Sequence, residues 1–321
     1  MIWNPTPLTR LPPTAGFDRV YIKDESCHPT GTFKDRLVRA ALTSVPESAV
    51  IATISYGNTA LSLAYHISMR EFGHGRGRPR PCVLLPQDMG EWALGPSTLG
   101  TEIAGRELRS YLASRLDIID LPVSGAILSE SEVKDAVTRQ AGRVGEVIDI
   151  TEGIEVPVYA RIMHEAIAQL GRIPDVCLVP FGAGILCNQV KDALRDTKCC
   201  VVPLSVADRS SAARMLFGPA WVDVSALARD GVALSRHRSP DRTGSVRVPY
   251  PVYLVSEREV ADGLSHASAL GISAEPSGCV GLGVLSRLGE IVPGLGSGSA
   301  VVIVLTGNGL DGFAKVINKG V

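Results

Sequence analysis

The sequence predicts an α/β fold in which mainly parallel strands carry helices on both faces. Three observations lead there. Short β-branched runs that end in Gly, Pro or polar turns alternate with helical patterns along the chain, the order of a parallel sheet with crossover helices. Several of those runs are apolar throughout, as strands buried on both faces are. The chain has 321 residues, 45% of them hydrophobic, enough for one large domain or two modest ones.

Taken in order, the strands read as 20–23, 50–55, 82–85, 147–150, 176–179, 200–206, 252–255 and 300–305. The helical patterns between them read as 34–42, 59–72, 131–144, 157–170 and 257–269. Residues 74–81 form a basic Gly/Pro-rich stretch with no interleaved aromatics, so a solvated connection is expected there rather than a nucleic-acid patch. Residues 235–247 are also basic and loop-like, a flap over a site or a long surface loop. No internal repeat and no extended low-complexity region stands out.

The charge balance narrows the class. Lys plus Arg is 32 against 33 for Asp plus Glu, a net charge of −1, so no electrostatic footprint for nucleic acid or an anionic membrane is expected. No apolar run reaches the roughly 18 residues of a membrane span. Residues 1–7 lack the basic and apolar regions of a signal peptide. The 7 cysteines are scattered without a CxxC, and His28 beside Cys27 has no second pair at metal-ligand spacing. Reduced thiols, a cytoplasmic location and no metal are the expectations.

Four strand-to-helix or strand-to-turn junctions carry the chemistry. In the first, residues 23–36, a strand ends near Glu25, Pro29 and Gly31 make a turn, and a helix begins near Lys34. A lysine held there can bond an aldehyde cofactor if its amine is kept neutral, although a lone lysine in a first helical turn is ordinarily a surface charge. In the second, Ser55-Tyr56-Gly57-Asn58-Thr59 leads a strand into a helix. Such a helix start can take a carboxylate, or Ser, Asn and Thr can simply cap it. In the third, Phe181-Gly182-Ala183-Gly184-Ile185-Leu186 offers backbone N–H groups to a phosphate. It lacks the third Gly of a dinucleotide fingerprint. In the fourth, Thr306-Gly307-Asn308-Gly309 ends an apolar strand and sets a hydroxyl where α/β sites lie.

Each junction is modest alone, but their order resembles the pyridoxal-phosphate (PLP) enzymes of the tryptophan-synthase-β superfamily, fold type II, and within it threonine synthase and its relatives. Thr6-Pro7-Leu8 resembles the family's opening TPL, and residues 23–36 resemble KxE…PTGSFKDR, which carries the cofactor lysine. Residues 55–60 resemble SxGNTA, residues 151–165 the EG…EI lead-in, 275–278 the EPSG segment, and 305–310 the LTGHGL of threonine synthase. The likeness extends through nearly the whole chain.

The resemblance implies roles. Lys34 would hold PLP as a Schiff base and shuttle the proton. Asn58 would bond the cofactor's 3′-oxygen, and Ser55, Tyr56, Gly57, Asn58 and Thr59 would bind the substrate carboxylate. Gly182, Ala183, Gly184, Ile185 and Leu186 would hold the phosphate, and Thr306 would face the pyridine nitrogen. It also implies a large domain of residues 1–33 and 147–321, a small one of 34–146, PLP in the cleft, closure on a small-molecule amino acid, and a homodimer.

Elimination or replacement on a polar L-amino acid follows, with threonine synthase chemistry first and β-replacement (cysteine or cysteate synthase-like) or Ser/Thr dehydration as alternatives. A catalytically silent PLP-binding protein and a nucleotide-binding α/β protein are the readings from other classes. Three departures weaken O-phosphohomoserine as substrate. The phosphate loop reads Gly-Ala-Gly-Ile-Leu, Tyr56 replaces a small residue, and residues 121–127 hold no Arg to match the family's substrate-phosphate ligand. The chain is also shorter than many threonine synthases.

Overall fold

A computed structural model describes residues 4–55, 57–69, 80–86, 101–121, 130–141, 145–151, 154, 156–182, 184–206, 211–213, 222–223, 232–238, 245–309, 312–314 and 316. The elements begin with β1 (Leu8–Arg10), β2 (Arg19–Asp24), α1 (Lys34–Ser44), β3 (Val50–Ile54), α2 (Asn58–Ser68), β4 (Cys82–Pro86) and α3 (Thr101–Ala113). They continue with β5 (Asp117–Leu121), α4 (Glu130–Ala141), β6 (Val147–Asp149), α5 (Ala160–Leu170), β7 (Val176–Pro180), α6 (Ile185–Ala193) and β8 (Cys200–Ser205). Last come β9 (Val222–Asp223), β10 (Val232–Arg238), β11 (Ser245–Leu254), α7 (Glu257–Ala269), α8 (Val280–Gly283), α9 (Leu288–Ile291) and β12 (Ala300–Leu305). The chain divides into two compact units, Met1–His28 with Pro157–Asn308, and Pro29–Val156 with Gly309–Val321.

The first unit is built on an eight-stranded sheet in the order β1-β2-β12-β7-β8-β11-β10-β9. Strands β2, β12, β7, β8 and β11 run parallel. Every residue of β7 and β12 is buried, which is why both read as unbroken apolar runs. Val176, Leu178, Val301 and Ile303 form a core with Val280, Val284 and Leu285. The basic stretch at 235–247 is not all loop: β10 and β11 pair antiparallel, with Arg236 opposite Arg247 and His237 opposite Val246. Its charged residues hid a pairing made by backbone groups; 239–244 lie outside the described residues.

The second unit holds a parallel four-stranded sheet, β5-β4-β3-β6. Here the boundary differs from the sequence expectation. Val147 pairs with Val50 and Asp149 with Ala52, so β6 completes this sheet rather than opening the larger domain. The C-terminal residues Phe313 and Val316 join the same core as Leu108 and Leu112, and the Phe313 ring meets Tyr111 edge-on at 6.0 Å. A return of the chain end is a non-local event that no local pattern announces. Strand β5 and helix α3 were also unread; β5, Asp-Ile-Ile-Asp-Leu, has too few apolar residues to stand out. Helix α2 stops at Ser68, short of 72, because Met69 turns extended at its C-cap.

Candidate active site

In the second unit the lysine sits where the sequence puts it. Lys34 is the first residue of α1, half-buried. Its backbone N–H donates to Thr32 Oγ1 at 3.3 Å, and its Nζ lies 4.8 Å from the centroid of the Phe33 ring. Gly31 takes φ +75°, a left-handed turn that suits glycine. The next residue, Asp35, is fully buried. Its carboxylate accepts from Thr30 N–H at 3.0 Å, Thr30 Oγ1 at 2.6 Å and Ser62 Oγ at 2.5 Å. His66 Nε2 lies 3.3 Å away. Burial pushes the Asp35 carboxyl up, but His66, Ser62 and Thr30 together hold it below the ordinary value. Thus the turn that presents Lys34 is pinned to both α1 and α2.

Strand β3 delivers Ser55 into α2. Ser55 Oγ accepts from Gly57 N–H at 3.2 Å and Ala60 N–H at 3.0 Å, so Ser55 does the capping. Gly57 adopts φ +130°, outside the range most side chains allow, and Asn58 opens the helix. Thr59 is buried; Tyr56 lies outside the described residues. Ile54 N–H donates to Thr151 Oγ1 at 2.8 Å, which fixes the end of β3.

The first unit carries the rest of the set. Val301–Ile303 pair in parallel register with Val176–Leu178. The C-terminal ends of β12 and β7 therefore lie side by side, and Thr306 and Gly182 follow them at the C-terminal end of the parallel strands. Gly184 is the N-cap of α6 at φ +87°; a Cβ there would come within 3.2 Å of the Phe181 ring. The Leu186 side chain is buried in the core and Ile185 is half-buried, so this loop can reach a ligand through its backbone. Ala183 lies outside the described residues. Thr306 and Asn308 are buried. Gly307 O accepts from Glu275 N–H at 3.0 Å, and a Cβ on Gly278 would sit 2.7 Å from Gly307 O. The 275–278 segment thus braces the turn after β12.

Other quoted motif residues form a structural brace. Lys23 Nζ donates to Thr6 O at 2.5 Å and pairs with Glu165 at 2.9 Å. Thr6 Oγ1 donates to Glu25 Oε1 at 2.6 Å, and Glu25 Oε2 lies 3.0 Å from His28 Nε2. This network ties the N-terminal segment to β2 and α5. Asp35, Ser62, His66 and Asn308 were missed as site residues; Asp35 and Asn308 stood inside quoted motifs, but their environment is non-local.

Residues 1–72 match the family described as pyridoxal-phosphate dependent enzyme, a span that contains Lys34 and the Ser55–Thr59 loop. Over 95 residues the chain is 37% identical to threonine synthase of Methanocaldococcus jannaschii, covering 28% of this chain and 21% of that one. The chain thus matches about a fifth of that curated relative's length. Among solved structures, maize serine racemase is similar with a TM-score of 0.63 at 16% identity, covering 99% of this chain and 92% of that one. The L-serine ammonia-lyase of Rhizomucor miehei gives 0.61 at 17%, covering 98% of each. The family match thus rests on residues 1–72, and the solved structures share the fold along nearly the whole chain. At such identities the solved structures speak for the fold type II architecture, not for a reaction.

The cofactor of this family is pyridoxal 5′-phosphate, and the residues present fit it. The second unit offers an amine on a pinned turn, and the first unit offers a glycine-gated helix start and, among the described residues, an unpartnered buried amide at Asn308. Among the described residues no cluster of three His, Cys, Asp or Glu could hold a metal, and no helix is long and apolar enough to cross a membrane.

Proposed function

We propose that this chain catalyses PLP-dependent elimination or replacement on a polar L-amino acid, in the manner of threonine synthase. The observation that carries the reading is the seating of Lys34 as first residue of α1, beside the buried Asp35 anchor. Lys34 holds the cofactor covalently through Nζ. Asn58 bonds its 3′-oxygen, and the N–H groups of Gly182, Ala183, Gly184, Ile185 and Leu186 take its phosphate. Ser55, Tyr56, Gly57, Asn58 and Thr59 receive the substrate carboxylate at the start of α2. Bound there, pyridoxal phosphate draws electrons from the substrate's α-carbon and makes its proton acidic.

Thr306 would set a hydroxyl, a far weaker acid than a pyridinium, against the pyridine nitrogen and would leave that nitrogen largely unprotonated. Electron withdrawal is then mild, which suits departure of a β- or γ-substituent. With the cofactor bound, the Lys34 amine would be the group to take the substrate's α-proton and return it. Threonine synthase chemistry comes first because of the local identity to that enzyme. A cytoplasmic homodimer is part of the reading; the cytoplasmic part is in keeping with seven cysteines held as thiols.

The test is borohydride reduction of protein incubated with PLP, followed by peptide mass spectrometry. A pyridoxyl label on Lys34 is expected; a label on another lysine, or none, overturns the reading. The labelled enzyme's native counterpart is then assayed with O-phosphohomoserine, O-phosphoserine, O-acetylserine, serine and threonine. Turnover of none of them, with the label present, leaves the silent cofactor-binding protein as the correct class.

A further inference from the structure

Asn308 is an anomaly in an otherwise satisfied turn. It is 5% exposed, yet neither Oδ1 nor Nδ2 has a hydrogen-bond partner among the described residues. Its neighbours do not share the defect: the preceding carbonyl, Gly307 O, accepts from Glu275 N–H. A buried amide without partners costs the folded chain free energy, because water satisfied both atoms before folding. A ligand that repays this cost is one reason for such a group to persist.

Its place in the fold says which ligand. Asn308 stands two residues beyond Thr306 at the C-terminal end of β12. The strand beside it, β7, runs parallel and ends in the Gly182–Gly184 turn. Ligands of open α/β sheets bind at this end of the strands. The N–H groups at the start of α6 are donors to a ligand there, and Thr306 has a single hydroxyl. A carboxamide adds two donors and one acceptor without adding charge. We propose that Asn308 is a further cofactor-binding residue, its side-chain amide hydrogen-bonding to pyridoxal phosphate held at this end of the strands. The proposal rests on the PLP reading above and adds a contact that neither the glycine turn nor Thr306 supplies.

The orphaned state yields an unusual signature. Removing the amide relieves the empty protein and harms the loaded one. The experiment uses wild type, Asn308→Leu and Asn308→Ala, stripped of cofactor, and measures thermal unfolding with and without added PLP. Affinity for PLP is measured in parallel by fluorescence titration. Asn308→Leu is expected to melt at the wild-type temperature or higher when empty. Its Kd for PLP is expected to rise at least about tenfold, with a smaller rise in melting temperature on PLP addition. If Asn308→Leu does not fold, Asn308→Ala carries the affinity comparison. Wild type that binds PLP beside variants of unchanged Kd overturns the Asn308 assignment and leaves the PLP reading intact. Wild type that binds no PLP overturns both.

Discussion

Asp35 and His66 face each other from α1 and α2, carboxylate oxygen to imidazole Nε2, 3.3 Å apart and both buried. Three further hydrogen bonds to the same carboxylate, from Thr30 N–H, Thr30 Oγ1 and Ser62 Oγ, make it a knot that ties the turn before Lys34 to α1 and α2. The backbone that carries Lys34 is therefore anchored by its sequence neighbour, Asp35.

This knot makes the second unit acid-sensitive. Burial raises the Asp35 carboxyl and its four partner contacts more than offset that, so its folded value lies below the unfolded one. A depressed carboxylate contributes stability that is full above its unfolded value, near pH 4, and is lost as pH falls through the folded value. Urea unfolding from pH 7 down to pH 2 should show stability falling below about pH 4. Asp35→Asn should flatten that fall. Asp35→Ala should cost about 3–5 kcal/mol at pH 7, because it strips partners from a buried network. An acid profile identical in wild type and Asp35→Asn would assign the sensitivity to other carboxylates.

Two glycines of the first unit separate steric from torsional cost. Gly283 has an ordinary helical φ of −68°, but a Cβ on it would run into the Glu259 carbonyl of α7. Gly263 approaches the other way, its Cβ position 2.7 Å from Cys279 O. Gly171, by contrast, caps α5 at φ +70° with nothing within 4 Å of a Cβ. Gly283→Ala should cost about 1–3 kcal/mol through forced separation of α7 from α8. Gly171→Ala should cost about 1 kcal/mol through left-handed backbone strain alone. Guanidinium unfolding measures both; a larger loss for Gly171→Ala would mean the α7–α8 contact relaxes freely.

What the sequence announced and what it withheld divide along one line. Strand β12 was readable to the residue because its run of six apolar residues is short, rich in β-branched Val and Ile, and bounded by Gly and Ser before and Thr-Gly after. Helix α7 was readable from its helical pattern, and the structure adds a capping box of Ser256 and Glu259 at its start. The start of α1 at Lys34 followed from the Pro29 and Gly31 turn. The pairing of β6 with β3, the return of Phe313, and the knot at Asp35 join residues far apart in the chain, and no local pattern encodes them. The orphaned amide of Asn308 is of the same kind, since it is defined by what its surroundings lack.

The cysteines should differ sharply in reactivity. Cys279 is buried, and burial pushes its thiol up to about 12. Burial does the same to Cys199, again to about 12, with Cys200 adding to the rise. At pH 8 about one thiol in ten thousand is then ionised at such a site. Cys27 is exposed. Maleimide labelling at pH 8 with mass spectrometry should therefore modify Cys27 first and leave Cys279 untouched until denaturant is added. Early labelling of Cys279 would show that the segment around it opens readily.

Gly184 offers the sharpest test of the phosphate half-site, because its two substitutions should reverse order. Any side chain there meets φ +87° and the Phe181 ring, so Gly184→Ala and Gly184→Asp share that strain. In the empty protein the aspartate adds a favourable element, a negative charge and a hydrogen-bond acceptor at the N-terminus of α6. Empty Gly184→Asp should therefore be at least as stable as empty Gly184→Ala. With PLP the same charge opposes the phosphate, and the side chain occupies the space the backbone N–H groups would give it. Affinity should fall at least about tenfold further in Gly184→Asp than in Gly184→Ala, and added salt should narrow the gap by screening. Fluorescence titration of PLP and thermal unfolding of the empty variants give the two rankings. Equal PLP affinity in the two variants would move the phosphate away from this helix start, since a carboxylate cannot sit beside a phosphate without cost.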